Sequence, residues 1–211
     1  MSRLQEQLSR FIYKGNDVDE LTGKFKELAP YFLSGGYIKV RDEYRIYLTT
    51  VEFYFHSEKD DGIKDPIVYH RNGRMVLDND KYAPKLPYFP FMSLHAHDSG
   101  YDITFENDKE QYRASALIRA YQVWDEKAGQ WIKWDKDIQK FRFYDVERDD
   151  DSINSQVLYL KTFLNGFGVG AGEIVWEDNE EDIIDITELV QKKRKGIKDD
   201  TKYWSFSKNI L

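Results

Sequence analysis

The stretch from Tyr44 to Phe55, YRIYLTTVEFYF, constrains this chain most, because it is a long run of β-branched and aromatic residues that reads as one extended strand. Tyr37 to Val40 and the Asp42-Glu43 step precede it, so the two runs read as a β-hairpin. Side chains on a strand alternate between its faces. Glu52, Tyr54 and His56 therefore share one face. A carboxylate in that setting is either an exposed charge or a general base beside an aromatic platform.

Helical spacing dominates the first 33 residues. Leu4, Leu8, Phe11 and Ile12 form one apolar stripe, and Leu21, Phe25, Leu28 and Phe32 form another. Asp17 or Asp19 is placed to cap the second helix, and Ser34-Gly35-Gly36 stops it. Strand signals resume at Phe91 to His97, at Tyr101 to Glu106 and at Ala114 to Val123, with 107–112 as a turn. Ala128-Gly129 marks another tight turn. Beyond it the pattern predicts a helix from Ser155 to Leu164, a strand from Glu173 to Trp176, a helix from Ile186 to Lys193 and a last strand from Tyr203 to Phe206. GFGVGAG, Gly166 to Gly172, has neither the spacing nor the Lys of a phosphate-binding loop. The 211 residues fit one domain (1–211) of mixed helices and strands, with a helical region at 1–33, a β-rich core at 37–123 and helices with a closing strand at 155–206.

With no cysteine, the chain has no disulfide, no Cys-ligated zinc and no Cys nucleophile. A formal net charge of −7 argues against a broad nucleic-acid-binding surface. Lys192, Lys193, Arg194 and Lys195 with Lys198 form a local basic run, which also reads as a solvated helix end. Glu177 to Asp185 reads as an acidic, solvated loop. No apolar run approaches the ~20 residues that span a bilayer. MSRLQEQLSRFIYKGN lacks the apolar core of a signal peptide, so the expected location is cytoplasmic, with no membrane partner.

All 4 histidines fall between positions 56 and 97. His95 and His97 are two apart and share a strand face. With Asp98, and with Asp102 or His70 to complete the shell, they make a possible metal site. Ordinary hydrogen-bonded histidines and a ring-binding pocket are the alternatives, and no metal or organic cofactor is expected.

In order and spacing these segments resemble the methylpurine-DNA glycosylase family, the alkyladenine and 3-methyladenine glycosylases of base excision repair. TVEFY stands where the family has a strand reading ETEAY, YHRNGR supplies a loop His, PYFPFMSLHAH precedes the hairpin glycine Gly100, and ALIRA matches LLRA. ELAPYFLSGGYI and RKGIKDDTKYWSF resemble the flanking segments, so the likeness runs from about residue 20 to 206. It implies an α+β fold, a single domain with a curved, mostly antiparallel sheet flanked by helices. It implies Glu52 as the catalytic carboxylate and Arg119 as the active-site arginine, buried and paired with it. Tyr54, His70 and His97 would hold the ring, with His95 and Tyr101 beside them.

The implied reaction is hydrolysis of the N-glycosidic bond of an alkylated purine in DNA, or in a nucleoside-like small molecule. Glu52 would deprotonate the attacking water. The family's hairpin-tip Tyr is Ser99 here, and its pocket Asn falls near Glu106 or Asn107. Loss of that aromatic wedge implies a preference for unpaired bases. A non-catalytic purine- or nucleic-acid-binding module and a His-ligated metal-dependent hydrolase are the two other classes.

Overall fold

Helix α1 (Arg3–Arg10) starts at Ser2, whose hydroxyl accepts the Gln5 N–H while the Gln5 side chain accepts the Ser2 N–H. Helix α2 (Val18–Leu33) starts at Asp17, whose carboxylate accepts the N–H groups of Asp19 and Glu20. Strands follow. The computed structural model describes residues 1–65, 87–97, 100–132, 172–195, 197 and 200–208. Within them the strands are β1 (Gly36–Val40), β2 (Tyr44–Ser57), β3 (Ser93–His97), β4 (Gly100–Thr104), β5 (Tyr112–Asp125), β6 (Gln130–Trp131), β7 (Gly172–Glu173), β8 (Val175–Asp178), β9 (Leu189–Lys192) and β10 (Ser205–Lys208). Gly129, at φ +60°, makes the turn between β5 and β6, where Asp125 accepts both the Gly129 and the Ala128 N–H.

Every pairing is antiparallel, and the order runs β7-β3-β4-β5-β2-β1-β8, with β10 pairing both β2 and β9. The sheet curls into a half-barrel, and the fold is α+β in a single domain, as expected. β2 and β5 form its longest ladder, from Tyr44↔Asp125 to Ser57↔Tyr112. Its register breaks between Leu48 and Val51. That irregularity changes which parity faces the helices: Ile46 and Leu48 are buried in the core before it, Val51, Phe53 and Phe55 after it. An unbroken alternation would have put Leu48 on the same face as Glu52.

The helices cover this apolar face. Phe25 of α2 stacks on Phe53 with ring centroids 4.6 Å apart and planes 5° from parallel, and Trp204 meets Phe25 edge-on at 5.1 Å. Ala114, Ala116 and Ile118 of β5, Tyr101 and Ile103 of β4, and Leu94 of β3 complete the layer. No helix among the described residues is long and apolar enough to cross a membrane.

Two expectations are corrected. Residues 186–193 are not a helix. One 3-10 turn, Ile186–Glu188, is closed by the Asp185 capping box, and the chain then becomes β9, paired with β10 from Lys192↔Ser205 to Leu189↔Lys208. Edge pairing satisfies the backbone there, so non-local hydrogen bonds override the helical apolar spacing. The basic run is consequently no helix end: Lys192 finishes a strand and Arg194 is buried. The expected helix from Ser155 to Leu164 and the glycine-rich stretch up to Ala171 lie outside the described residues.

Phe53→Ala should cost about 3–5 kcal/mol of stability, since a stacked, fully buried ring is lost. Asp17→Ala should cost about 1 kcal/mol. Urea denaturation with an unchanged slope checks both values.

Candidate functional site

The opposite face of the sheet is also buried, but it is polar. Strand pairing places Glu52 of β2, Leu117 of β5, Asp102 of β4 and His95 of β3 in one lateral row. Beside that row, Tyr54 stands opposite Ser115, and Ser115 opposite Thr104. Next, His56 stands opposite Arg113. Glu52, Tyr54, His56, His95, His97, Asp102, Arg113 and Arg119 are all buried. Charged side chains are rarely this buried unless paired, and their concentration on one face makes that face the candidate site.

Glu52 is the centre of the first cluster and is wholly inaccessible. Its Oε2 accepts from Arg119 Nε at 2.7 Å and from the Tyr54 hydroxyl at 3.2 Å, and its Oε1 accepts the Lys195 N–H at 2.9 Å. Three of the four lone-pair directions of the carboxylate are thus engaged. Arg119 Nη2 also donates to the Lys195 carbonyl at 3.2 Å. The Glu52–Arg119 pair expected from the sequence is present.

Tyr54 lies beside Glu52 on β2. Its hydroxyl serves Glu52, and the Arg194 guanidinium lies 4.7 Å from its ring centroid. Burial, then the Glu52 charge, pushes its phenol well above the usual range. Arg194 itself is locked by Asp65 at 2.5 Å and by Asp200 at 2.8 and 3.2 Å. Asp65 donates its N–H to His56 Nδ1 at 3.2 Å. His56, on the Glu52 face as expected, is therefore tied to this structural lock. Ile197 packs on Tyr54 and Leu117, so the segment carrying Arg194, Lys195 and Ile197 covers the β2 side of the face.

A second cluster surrounds Arg113, which donates to Glu58 at 2.7 Å and to Glu106 at 3.1 Å. Tyr88 lies over the guanidinium at 4.4 Å, and its hydroxyl donates to Glu58. Glu106 also accepts the Phe89 N–H at 2.7 Å. Burial pushes its carboxyl up to about 7 against the pull of Arg113.

The third cluster holds the two sheet histidines. His95 and His97 are stacked with centroids 5.6 Å apart, and Phe89 lies 4.3 Å from His95. His97 Nε2 is 3.3 Å from Asp102 Oδ2. Burial lowers the His95 imidazole below its usual range, which keeps it neutral. Asp102 Oδ1 and His95 Nε2 are buried without a hydrogen-bond partner among the described residues.

The structure thus brings Glu52, Tyr54, Arg119, His95 and His97 to one sheet face. Tyr101 is a correction. It points into the apolar core, wholly buried among the residues that face the helices, because it is one residue out of phase with Asp102. His70, Asp98 and Ser99 lie outside the described residues. Among the described residues no group of three or more His, Asp or Glu is arranged to hold a metal ion. Sequence reasoning missed Arg113, Glu58 and Arg194. Arg113 was legible, being an even number of residues from Arg119 on one strand. Arg194 was not, since nothing local separates it from its lysine neighbours. Comparison with protein families, with curated proteins and with solved structures returned no match for this chain.

Arg119→Ala should destabilise the fold by about 3–5 kcal/mol, because Glu52 is left charged and buried. The double replacement Glu52→Gln with Arg119→Met should cost less than Arg119→Ala alone, and thermal melts of the three variants decide it.

The raised Glu106 carboxyl makes the folded state bind more protons than the unfolded one between the ordinary glutamate range and about pH 7. Stability from this group is therefore full below that window and is lost as pH rises through it. Glu106→Gln should flatten that fall, which denaturation at pH 5 and pH 8 measures.

Proposed function

We propose that this chain is a divergent relative of the methylpurine-DNA glycosylases, whose polar sheet face receives an alkylated purine and hydrolyses its N-glycosidic bond. One observation carries this reading: Glu52 and Arg119, the two residues that the resemblance assigns to chemistry, are buried side by side on paired strands at 2.7 Å. A carboxylate with three fixed donors is held in one orientation and keeps one lone-pair direction for a water. In this reading Glu52 takes the proton of the water that attacks the anomeric carbon, and Arg119 and the Lys195 N–H fix the carboxylate. Tyr54 acts through its hydroxyl on Glu52. The ring is held on the β4–β3 side of the face, beside His97 and His95, because Arg194 and Ile197 fill the β2 side. None of these steps calls on a metal or an organic cofactor.

A specific observation also favours a second reading, a purine-binding module without hydrolysis. The donors that fix Glu52 include a main-chain N–H, and Arg194 occupies the Tyr54 ring. The two readings part on turnover. Single-stranded DNA carrying one 3-methyladenine should release free base with the native chain, and Glu52→Gln should reduce release at least ~100-fold while purine binding persists. Release should be slower from duplex and should fall with salt, as expected for a chain of net charge −7 that neutralises few phosphates. Purine binding with no release from either substrate would select the binding module.

A further inference from the structure

We propose that the far end of the β2–β5 ladder carries a second binding surface, on which Trp131, Trp124 and Tyr47 stack the bases of an unpaired nucleic-acid strand. That a strand is the occupant rests on the glycosylase reading of the neighbouring site, whose substrate would continue across this surface.

Before the register break in β2, Arg45 and Tyr47 alternate with the core residues Ile46 and Leu48. On β5, Gln122 and Trp124 alternate with the core residues Tyr121 and Val123. Arg45, Tyr47, Gln122 and Trp124 therefore lie on the side of the sheet turned away from the helices, which is also the side of Glu52. Strand pairing aligns Val175, Lys39, Arg45, Trp124 and Trp131 in one lateral row across β8, β1, β2, β5 and β6. Tyr47, opposite Gln122, belongs to the next row. The rings form a connected series: Trp124 lies 5.2 Å from Trp131, Trp131 5.3 Å from Tyr47, and Tyr47 5.2 Å from Tyr37.

These rings are not core. Trp131 is 46% exposed, and Trp124 and Tyr47 are half-buried. Both residues of β6, Gln130 and Trp131, are exposed, so this short strand adds nothing to the apolar layer and serves to set Trp131 beside Trp124 and Tyr47. Single exposed apolar side chains are ordinary, but a contiguous aromatic series on one face marks an interaction surface.

The charges beside the rings indicate how a strand is held. A cleft of about 270 Å³ at the β1–β2 end is lined by Lys39, Arg41 and Arg45 and equally by Asp42, Glu126 and Glu177. Lys39 pairs with Asp42 and Glu177, Arg45 with Glu126, and Arg41 lies 4.0 Å from Glu43. The surface thus has no excess of cations with which to neutralise phosphates. Affinity has to come from the rings, and base–aromatic stacking is tolerant of sequence because every base has a π-face. In a duplex those faces are already covered by neighbouring bases, so the surface suits an unpaired strand. A protein partner fits less well, because the centres of protein interfaces are depleted of charged residues, whereas Lys39 and Arg45 share the row of the two tryptophans.

Continuity with the candidate site supports the same occupant. Leu117 stands in the Glu52 row and Trp124 lies seven residues further along β5, about 23 Å at the usual strand rise. About seven stacked nucleotides cover that distance, and fewer when the strand is extended.

The test needs no turnover. An unmodified oligothymidylate of about 12 nucleotides is titrated into the native chain and followed by tryptophan emission and by anisotropy of an end label. Trp131→Ala, checked for an unchanged melt, should weaken binding at least ~5-fold, the low end of what one stacked base contributes, and Trp131→Phe should restore most of it. Glu52→Gln should bind like the native chain. Raising salt from about 50 to 200 mM should weaken binding less than ~10-fold, whereas a strand held by six to ten phosphate contacts loses about 10³–10⁵-fold. No binding by the native chain, equal binding by Trp131→Ala, or a steep salt dependence would overturn the inference. So would a native dimer that Trp131→Ala makes monomeric, which would assign the surface to a second copy of this chain. Release of 3-methyladenine from a single strand separates the two readings. Trp131-dependent binding without release sinks the glycosylase reading and leaves this surface standing. Release whose KM is the same in Trp131→Ala sinks this inference alone.

Discussion

The β2–β5 ladder is the constraint on which the rest depends, because it buries a side-chain row on each of its faces. One row is apolar and meets α2, with Phe53 against Phe25. The other is polar and charged. Burying charge is costly unless each group finds a partner with good geometry. That single requirement explains why Glu52 has Arg119, Arg113 has Glu58 and Glu106, and Arg194 has Asp65 and Asp200.

The register break between Leu48 and Val51 makes the arrangement possible. Without it, the core residues Ile46 and Leu48 would share a face with Glu52, Tyr54 and His56. A break of this kind in a long strand allows the apolar face to stay continuous while the polar face is confined to the part beyond it. The same half of β2 is where β10 pairs, and Arg194 and Lys195 lie against Tyr54 and Glu52 there. Fold and site are thereby coupled: Lys195, which lies between β9 and the closing strand β10, supplies the N–H that holds the carboxylate.

The three polar clusters differ in how completely they are satisfied. Around Arg194 and Arg113, guanidinium forks pair with carboxylates, and Asp65 Oδ1 alone of those carboxylate oxygens is buried without a hydrogen-bond partner among the described residues. Around His95, His97 and Asp102, buried polar atoms stay open among the described residues. Native proteins rarely leave such atoms unsatisfied.

Much of this was written in the sequence. Period-two and period-3.6 apolar spacing located both helices, the hairpin and strands β3 to β5, because those patterns reflect local backbone geometry and one-sided burial. Alternation also put Glu52 with Tyr54 and His95 with His97. The sequence by itself did not determine that residues 189–192 form a strand, since the hydrogen bonds that decide it come from Ser205–Lys208. Nor did it place Tyr101 in the core, because one residue of phase decides which face a strand residue takes. Arg194 was the least legible of all. Asp200 is close to it in the chain, but Asp65 and the Tyr54 ring come from other segments, and only the tertiary structure brings Asp65 to within hydrogen-bonding distance of Arg194.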